Sequence, residues 1–212
     1  MNTSPFVKVC GLTDPAEAVA CARLGVWAIG LVFAPESPRR VDVAQARAVC
    51  KALPLRVRRV GVFVNPEPSE VAETVSAAGL TDVQLHGAGV SVEAIRVAAR
   101  VRVFQGFSVG GPADIAAAKS SRADLVLLDA SVAGRHGGTG QTFDWTLLDT
   151  TPLQRPFVLA GGLDPDNVAD AVRRVRPWGV DVSSGVESSP GRKDLARVAA
   201  FVHAVHDMVE MR

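Results

Sequence analysis

Short apolar runs alternate with amphipathic stretches along this chain, and the alternation repeats from one end to the other. The first run, residues 6–12, is rich in β-branched side chains, and apolar positions at helical spacing follow it over 14–25, so a strand leads into a helix. Asp14 suits the cap of that helix, Pro15 its first position, and Gly25 the left-handed position just past its end. Equivalent strands are predicted over 28–33, 59–64, 82–86, 101–107, 125–129, 157–161 and 180–184. Helices are predicted over 43–53, 68–78, 91–99, 113–119, 145–148, 165–175 and 194–208. Runs such as LVLLD and FVLAG have no polar alternate face, which marks strands that are parallel and covered on both sides. Eight β-α units with no Pro/Ser-rich linker between them fit an α/β fold, a single (β/α)8 TIM barrel with a parallel eight-stranded core, one domain over residues 1–212. An open doubly wound sheet is the competing topology. The first strand runs into VCGLTD with no GxGxxG, and distinctive residues stand at many strand ends, both of which favour the barrel.

At 212 residues the chain is short for such a barrel, so function has to come from short loops. Lys and Arg number 23 against 22 Asp and Glu, a formal net charge of +1, and no basic stripe is visible, so nucleic acid is not an expected partner. No apolar run approaches the ~18 residues of a membrane span, and the first residues lack a signal-peptide pattern, so a soluble cytoplasmic protein is expected. Cys10, Cys21 and Cys50 match no metal-ligand spacing and suit a reducing compartment. HExxH, EF-hand and GxxxxGK[ST] patterns do not occur, so neither a metal nor a nucleoside triphosphate is expected. The chain is read as a monomer rather than a homodimer.

A barrel of this kind keeps its active site at the C-terminal ends of its strands. Cys10, His86 and Asp129 end the first, fourth and sixth strands, while Gly161, Gly162, Ser183 and Ser184 end the seventh and eighth. The segments LAGGL and DVSSGVE combine small residues with exposed backbone amides where such barrels often hold phosphate, and together they point to a phosphorylated small molecule. The hydroxyls of the serines can assist. A Cys10 thiolate can act as base or nucleophile, and Lys8, on the same side of its strand, would favour that ionised form. Asp129 emerges from a dry strand, where partial burial would keep it protonated as a general acid. His86 is given a supporting role. Arg39 can clamp a carboxylate bidentately, whereas Arg40 reads as a solvated charge, and the glycine-rich 137–140 segment reads as a mobile lid.

Taken together, KVCGLT, GLVFAPESPR, GVFVN, VQLHG, LLD, GGTGQTFDW, LAGGLDPDNV and GVDVSSGVESSPGRKD closely resemble the phosphoribosylanthranilate isomerase family of tryptophan biosynthesis, in the right order over almost the whole chain. The resemblance implies a cofactor-free and metal-free barrel that converts N-(5-phosphoribosyl)anthranilate into 1-(o-carboxyphenylamino)-1-deoxyribulose 5-phosphate, an Amadori rearrangement. Carried over by motif, the general base falls on Cys10, the general acid on Asp129 and the anthranilate-carboxylate arginine on Arg39. Phosphate contacts fall on Gly162, Ser183 and Ser184 with Gly161 adjacent, the residue facing the ribose hydroxyls on Asp181, and a residue lining the anthranilate side on His86. The chain departs from the family at Leu31, where Phe is frequent, and at Gln105, where some relatives carry Lys. The competing readings are another phosphosugar isomerase on the same barrel, a cyclising synthase, which would call for a lysine acid and glutamates at strand ends, and a barrel that binds a phosphometabolite without turnover.

Overall fold

The computed structural model describes residues 5–130 and 144–210. Its strands β1 (Phe6–Cys10), β2 (Ala28–Val32), β3 (Arg58–Val64), β4 (Asp82–His86), β5 (Arg102–Val109), β6 (Leu125–Ala130), β7 (Phe157–Leu159) and β8 (Gly179–Val182) are parallel and close into a barrel in chain order. The crossover helices are α1 (Pro15–Arg23), α2 (Val43–Ala52), α3 (Pro68–Ala78), α4 (Val92–Ala99), α5 (Pro112–Lys119), α6 (Leu147–Thr150) and α7 (Val168–Val175), and α8 (Leu195–Glu210) follows the last strand. The expected (β/α)8 barrel is therefore the observed fold. Among the described residues no helix is long and apolar enough to cross a membrane.

Local chemistry explains the ends of these elements. Asp14 accepts hydrogen bonds from the backbone N–H groups of Ala16 and Glu17, and Pro15 opens α1 as expected. Gly25 donates to the Ala22 carbonyl and Val26 to the Cys21 carbonyl, a paired stop that ends the helix. Asp42 and Gln45 form a reciprocal capping box on α2. β7 stops at Leu159, short of the expected Gly161, because Gly161 and Gly162 both turn into the left-handed region, at φ +85° and +63°. A short antiparallel hairpin, β9 (Glu187–Ser189) with β10 (Arg192–Lys193), follows β8 and was not anticipated. It contains no apolar run, so hydrophobic periodicity is blind to it.

Period-two alternation sorts the strand residues into two cores. Val7, Val9, Ile29, Leu31, Val83, Leu85, Val126, Leu128, Val180 and Val182 face the helices in one large cluster, while Ala28, Val60, Phe104, Leu125, Leu127 and Val158 fill the barrel interior. Cys10, Val32 and Val62 form a separate, smaller group near the mouth. The two departures from the family lie outside the barrel. Leu31 is buried against the helix layer, and Gln105 accepts a hydrogen bond from the Ser121 hydroxyl at 2.6 Å.

The N-terminal end of the barrel is sealed by aromatic rings and an ion cluster. Phe6 packs on Trp27 and Trp178, with ring centroids 4.2 and 4.7 Å apart. The fully buried Asp82 carboxylate accepts from Arg58 Nε at 2.7 Å, Arg102 Nε at 2.9 Å and the Thr81 hydroxyl at 2.7 Å. Removing this carboxylate strands two guanidinium groups, but both reach solvent, so the loss falls below that of a fully buried pair. Asp82→Ala is expected to lower unfolding free energy by about 2–3 kcal/mol in urea titrations. Turnover below the transition should be unchanged.

Candidate active site

Register and parity bring inward-facing polar side chains to the C-terminal mouth. Lys8 and Cys10 on β1, Gln84 and His86 on β4, Asp129 on β6 and Asp181 on β8 all share the inward parity of the interior residues on their strands. Cys10 pairs with Gly30 across β1 and β2, and a Cβ on Gly30 would lie 2.6 Å from the Cys10 sulfur, so that glycine makes room for the thiol. Lys8 pairs in register with Asp181, and its Nζ donates to Asp181 Oδ2 at 2.8 Å with no exposure to solvent. Asp181 Oδ1 is buried and has no partner.

The pull of Lys8 on Cys10 acts in the expected direction but does not decide the protonation of the thiol. Burial pushes its thiol up, Lys8 and Lys193 pull it down, and burial wins, so the group is a neutral thiol. Burial also works against the Lys8 ammonium, yet Asp181 and Cys10 together hold it above its ordinary value, so Lys8 stays charged. The thiol proton is thus retained beside a cation because only 9% of Cys10 is exposed.

Asp129 leaves β6 half-buried after the apolar Leu125–Leu128 stretch and is in register with Ser108 of β5. The barrel's curvature turns it toward the mouth that Cys10 also faces, three strands away. His86 lies over Gly106, where a Cβ would collide with its ring, and its Nε2 is 2.8 Å from the Gln84 amide nitrogen. That contact fixes the ring plane.

Arg39, on the segment after β2, is already engaged. Its Nε donates to Glu187 Oε1 at 2.8 Å and its Nη2 to Glu187 Oε2 at 2.7 Å. Glu187 Oε1 also accepts from Lys193 Nζ at 2.6 Å and from the Gly191 backbone at 3.3 Å. Lys193 has no side-chain exposure and donates further to the Ser183 carbonyl at 3.2 Å. Burial alone would push Glu187 up, but Arg39 and Lys193 hold its carboxylate below the ordinary range. Burial pushes Lys193 down despite Glu187. Neither Glu187 nor Lys193 was read as a site residue. The one local signal was Pro190-Gly191, a turn dipeptide inside a polar run. Arg40 is exposed, as expected.

The turns after β7 and β8 touch each other. A Cβ on Gly185 would collide with the Leu163 carbonyl oxygen, so the backbones of these two turns meet with no side chain between them. Asn167 braces the first turn, donating to the Gly162 carbonyl at 2.8 Å and accepting from the Asp164 backbone at 3.0 Å. The Ser183 hydroxyl donates to the Cys10 carbonyl at 3.1 Å, so its proton ties β8 to β1, while Ser184 opens a single 3-10 turn. The glycine-rich 137–140 segment lies outside the described residues.

The chain matches a family model described as N-(5'phosphoribosyl)anthranilate (PRA) isomerase over residues 7–204. It is 47% identical to an N-(5'-phosphoribosyl)anthranilate isomerase of Pseudomonas aeruginosa (strain LESB58), covering 94% of each chain. The crystal structure of the phosphoribosyl anthranilate isomerase from Thermotoga maritima aligns with a TM-score of 0.88 at 39% identity, covering 96% of this chain and 99% of that one. A phosphoribosyl anthranilate isomerase in complex with reduced 1-(o-carboxyphenylamino)-1-deoxyribulose 5-phosphate aligns with a TM-score of 0.85 at 38% identity, with the same coverage.

Alkylation of Cys10 by iodoacetamide, taken as the difference between the wild type and Cys10→Ser, is expected to keep rising through pH 9 without a plateau, because its folded-state thiol sits above the ordinary value of 9.0. A plateau below pH 8 would mean that the two ammonium groups outweigh burial. Gly185→Ala forces backbone against backbone, and is expected to cost about 1–3 kcal/mol in thermal unfolding.

Proposed function

The chain belongs to the N-(5'-phosphoribosyl)anthranilate isomerase family, and we propose that Cys10 and Asp129 carry its reaction as base and acid. The enzyme isomerises N-(5-phosphoribosyl)anthranilate to 1-(o-carboxyphenylamino)-1-deoxyribulose 5-phosphate in tryptophan biosynthesis. The observation that carries the assignment is the inward parity of Cys10 and Asp129 at one barrel mouth, beside two touching turns that keep backbone N–H groups clear of side chains.

Asp129 protonates the furanose ring oxygen as that oxygen leaves C1, and the nitrogen lone pair forms the C1–N imine. Cys10 then removes the C2 proton, and the C2–H electron pair forms the C1–C2 double bond as the C=N π pair returns to nitrogen, which gives the enolamine. A proton returns to C1 as the C2 hydroxyl loses its own, which leaves the C2 ketone. Cys10 must ionise for its step. Lys8 and Lys193 both favour the ionised sulfur, and the positive charge that develops on the substrate nitrogen adds to their effect. The phosphate is held by backbone N–H groups around Gly162, Ser183 and Ser184 with Gly161 alongside, while the Ser183 hydroxyl, which donates to the Cys10 carbonyl, ties that turn to β1. Asp181 Oδ1, buried and unpartnered, takes a ribose hydroxyl, His86 lines the anthranilate ring, and Arg39 receives the anthranilate carboxylate.

Residues 1–212 act as one catalytic domain in the cytoplasm, which the three buried free thiols suit. A monomer is favoured because, among the described residues, the large exposed apolar side chains are few, namely Val43, Leu55, Val97, Trp178 and Leu195.

The test follows anthranilate fluorescence as N-(5-phosphoribosyl)anthranilate, generated in place, is consumed. Cys10→Ser and Asp129→Asn are each expected to lose roughly 10²–10⁴ in turnover while remaining folded. Near-normal turnover in either variant removes that residue from its role.

A further inference from the structure

Arg39 poses a difficulty for the reading above, because its guanidinium already has a carboxylate partner inside the protein. The geometry of that contact resolves it. Glu187 takes the side-on pair of donors, Nε and Nη2, at 2.8 and 2.7 Å. A guanidinium carries five N–H groups in one plane, so this leaves both protons on Nη1 and one on Nη2, and one proton from each of these nitrogens forms an end-on pair facing away from Glu187. Among the described residues the Nη1 protons have no hydrogen-bond partner. The stem is fixed as well, since Arg39 runs so close over Gly11 that a Cβ there would lie 2.5 Å from Arg39 Cδ.

Glu187 is itself held from three sides. Lys193 Nζ at 2.6 Å and the Gly191 N–H at 3.3 Å both donate to the oxygen that faces Arg39 Nε. The hairpin carrying them is docked on the β1 side of the barrel. Arg192 Nε lies 3.0 Å from Glu17 Oε1, and the Lys193 backbone N–H donates to Glu17 Oε2 at 3.2 Å. The Thr13 hydroxyl donates to the Gly191 carbonyl at 3.3 Å. A carboxylate pinned in this way cannot follow Arg39 if the guanidinium turns, so it defines where the end-on pair points.

Resting on the assignment of Arg39 to the anthranilate carboxylate, we infer that Glu187 is a positioning residue that holds Arg39 side-on so that its end-on N–H pair is presented to that carboxylate, with Lys193 fixing Glu187 in turn. Arg39 then bridges an internal and a ligand carboxylate at once, and Lys193 supplies a second positive charge on the same wall. Preorganisation of this kind raises affinity for the one ligand group it serves and leaves contacts elsewhere on the ligand unchanged.

The experiment compares two ligands by calorimetric titration, reduced 1-(o-carboxyphenylamino)-1-deoxyribulose 5-phosphate and its counterpart with a plain phenylamino group. Glu187→Gln is expected to weaken the carboxylated ligand at least tenfold and the plain ligand less than twofold. Arg39→Ala should abolish the preference, and adding Glu187→Gln to it should change neither ligand further. A preference that survives Arg39→Ala overturns the assignment of Arg39 itself. A preference lost in Arg39→Ala but intact in Glu187→Gln overturns only the role given to Glu187, as does an equal weakening of both ligands. Glu187→Asp, which keeps the charge and shortens its reach, is expected to give an intermediate loss confined to the carboxylated ligand, and it carries the test if the Gln variant does not fold.

Discussion

The seam between β1 and β8 governs everything else in this molecule. Parallel pairing in chain order leaves the first and last strands as open edges unless they find each other, and here they pair over Phe6–Val9 and Gly179–Val182. Lys8 lies opposite Asp181 in that register, and the 2.8 Å ion pair inside the barrel marks it. A slip of one residue in either strand would turn its charged side chain out toward the helices, bring a valine into the mouth and leave the partner charge unpaired. Cys10 is two residues beyond Lys8, and Ser183, two beyond Asp181, donates to the Cys10 carbonyl. The same register that closes the sheet thus sets the thiol beside the turn that follows β8.

Charge in the mouth is arranged around that seam. Lys8, Lys193 and Arg39 face Asp181 and Glu187, so the described ionised groups nearest Cys10 carry one more positive than negative charge. The surplus favours an anion, whether a ligand phosphate, a ligand carboxylate or the sulfur itself. Desolvation opposes ionisation of the sulfur. The thiol therefore keeps its proton although two ammonium groups attend it.

Most of the barrel was legible in the sequence because its strands are written as apolar runs, and the physics of a doubly covered sheet demands such runs. The places of Cys10, His86, Asp129 and the two glycine- and serine-rich turns followed from the rule that chemistry gathers at strand ends. What escaped were properties that arise only on folding. The protonation of Cys10 depends on how dry Gly30 and its neighbours leave the sulfur, and no spacing reports that. Leu31 and Gln105 could be noted as departures from the family, but their outward parity was needed to show that they touch the helix layer instead of the ligand. Glu187 and Lys193 sit in a polar stretch with no periodicity, so the partner of Arg39 was invisible.

The hairpin after β8 separates two events along the chain that other parts of the fold merge. The sheet is closed once Val182 is in place, whereas Glu187 and Lys193 come only afterwards, between the last strand and α8. During synthesis the ring of strands can therefore be complete before the carboxylate that pairs with Arg39 exists. A chain cut just beyond β8 would retain every residue of the ring and yet leave Arg39 without its ion-pair partner, so the stretch from Glu187 into α8 completes a charged cluster at the mouth as well as covering the outside of the barrel.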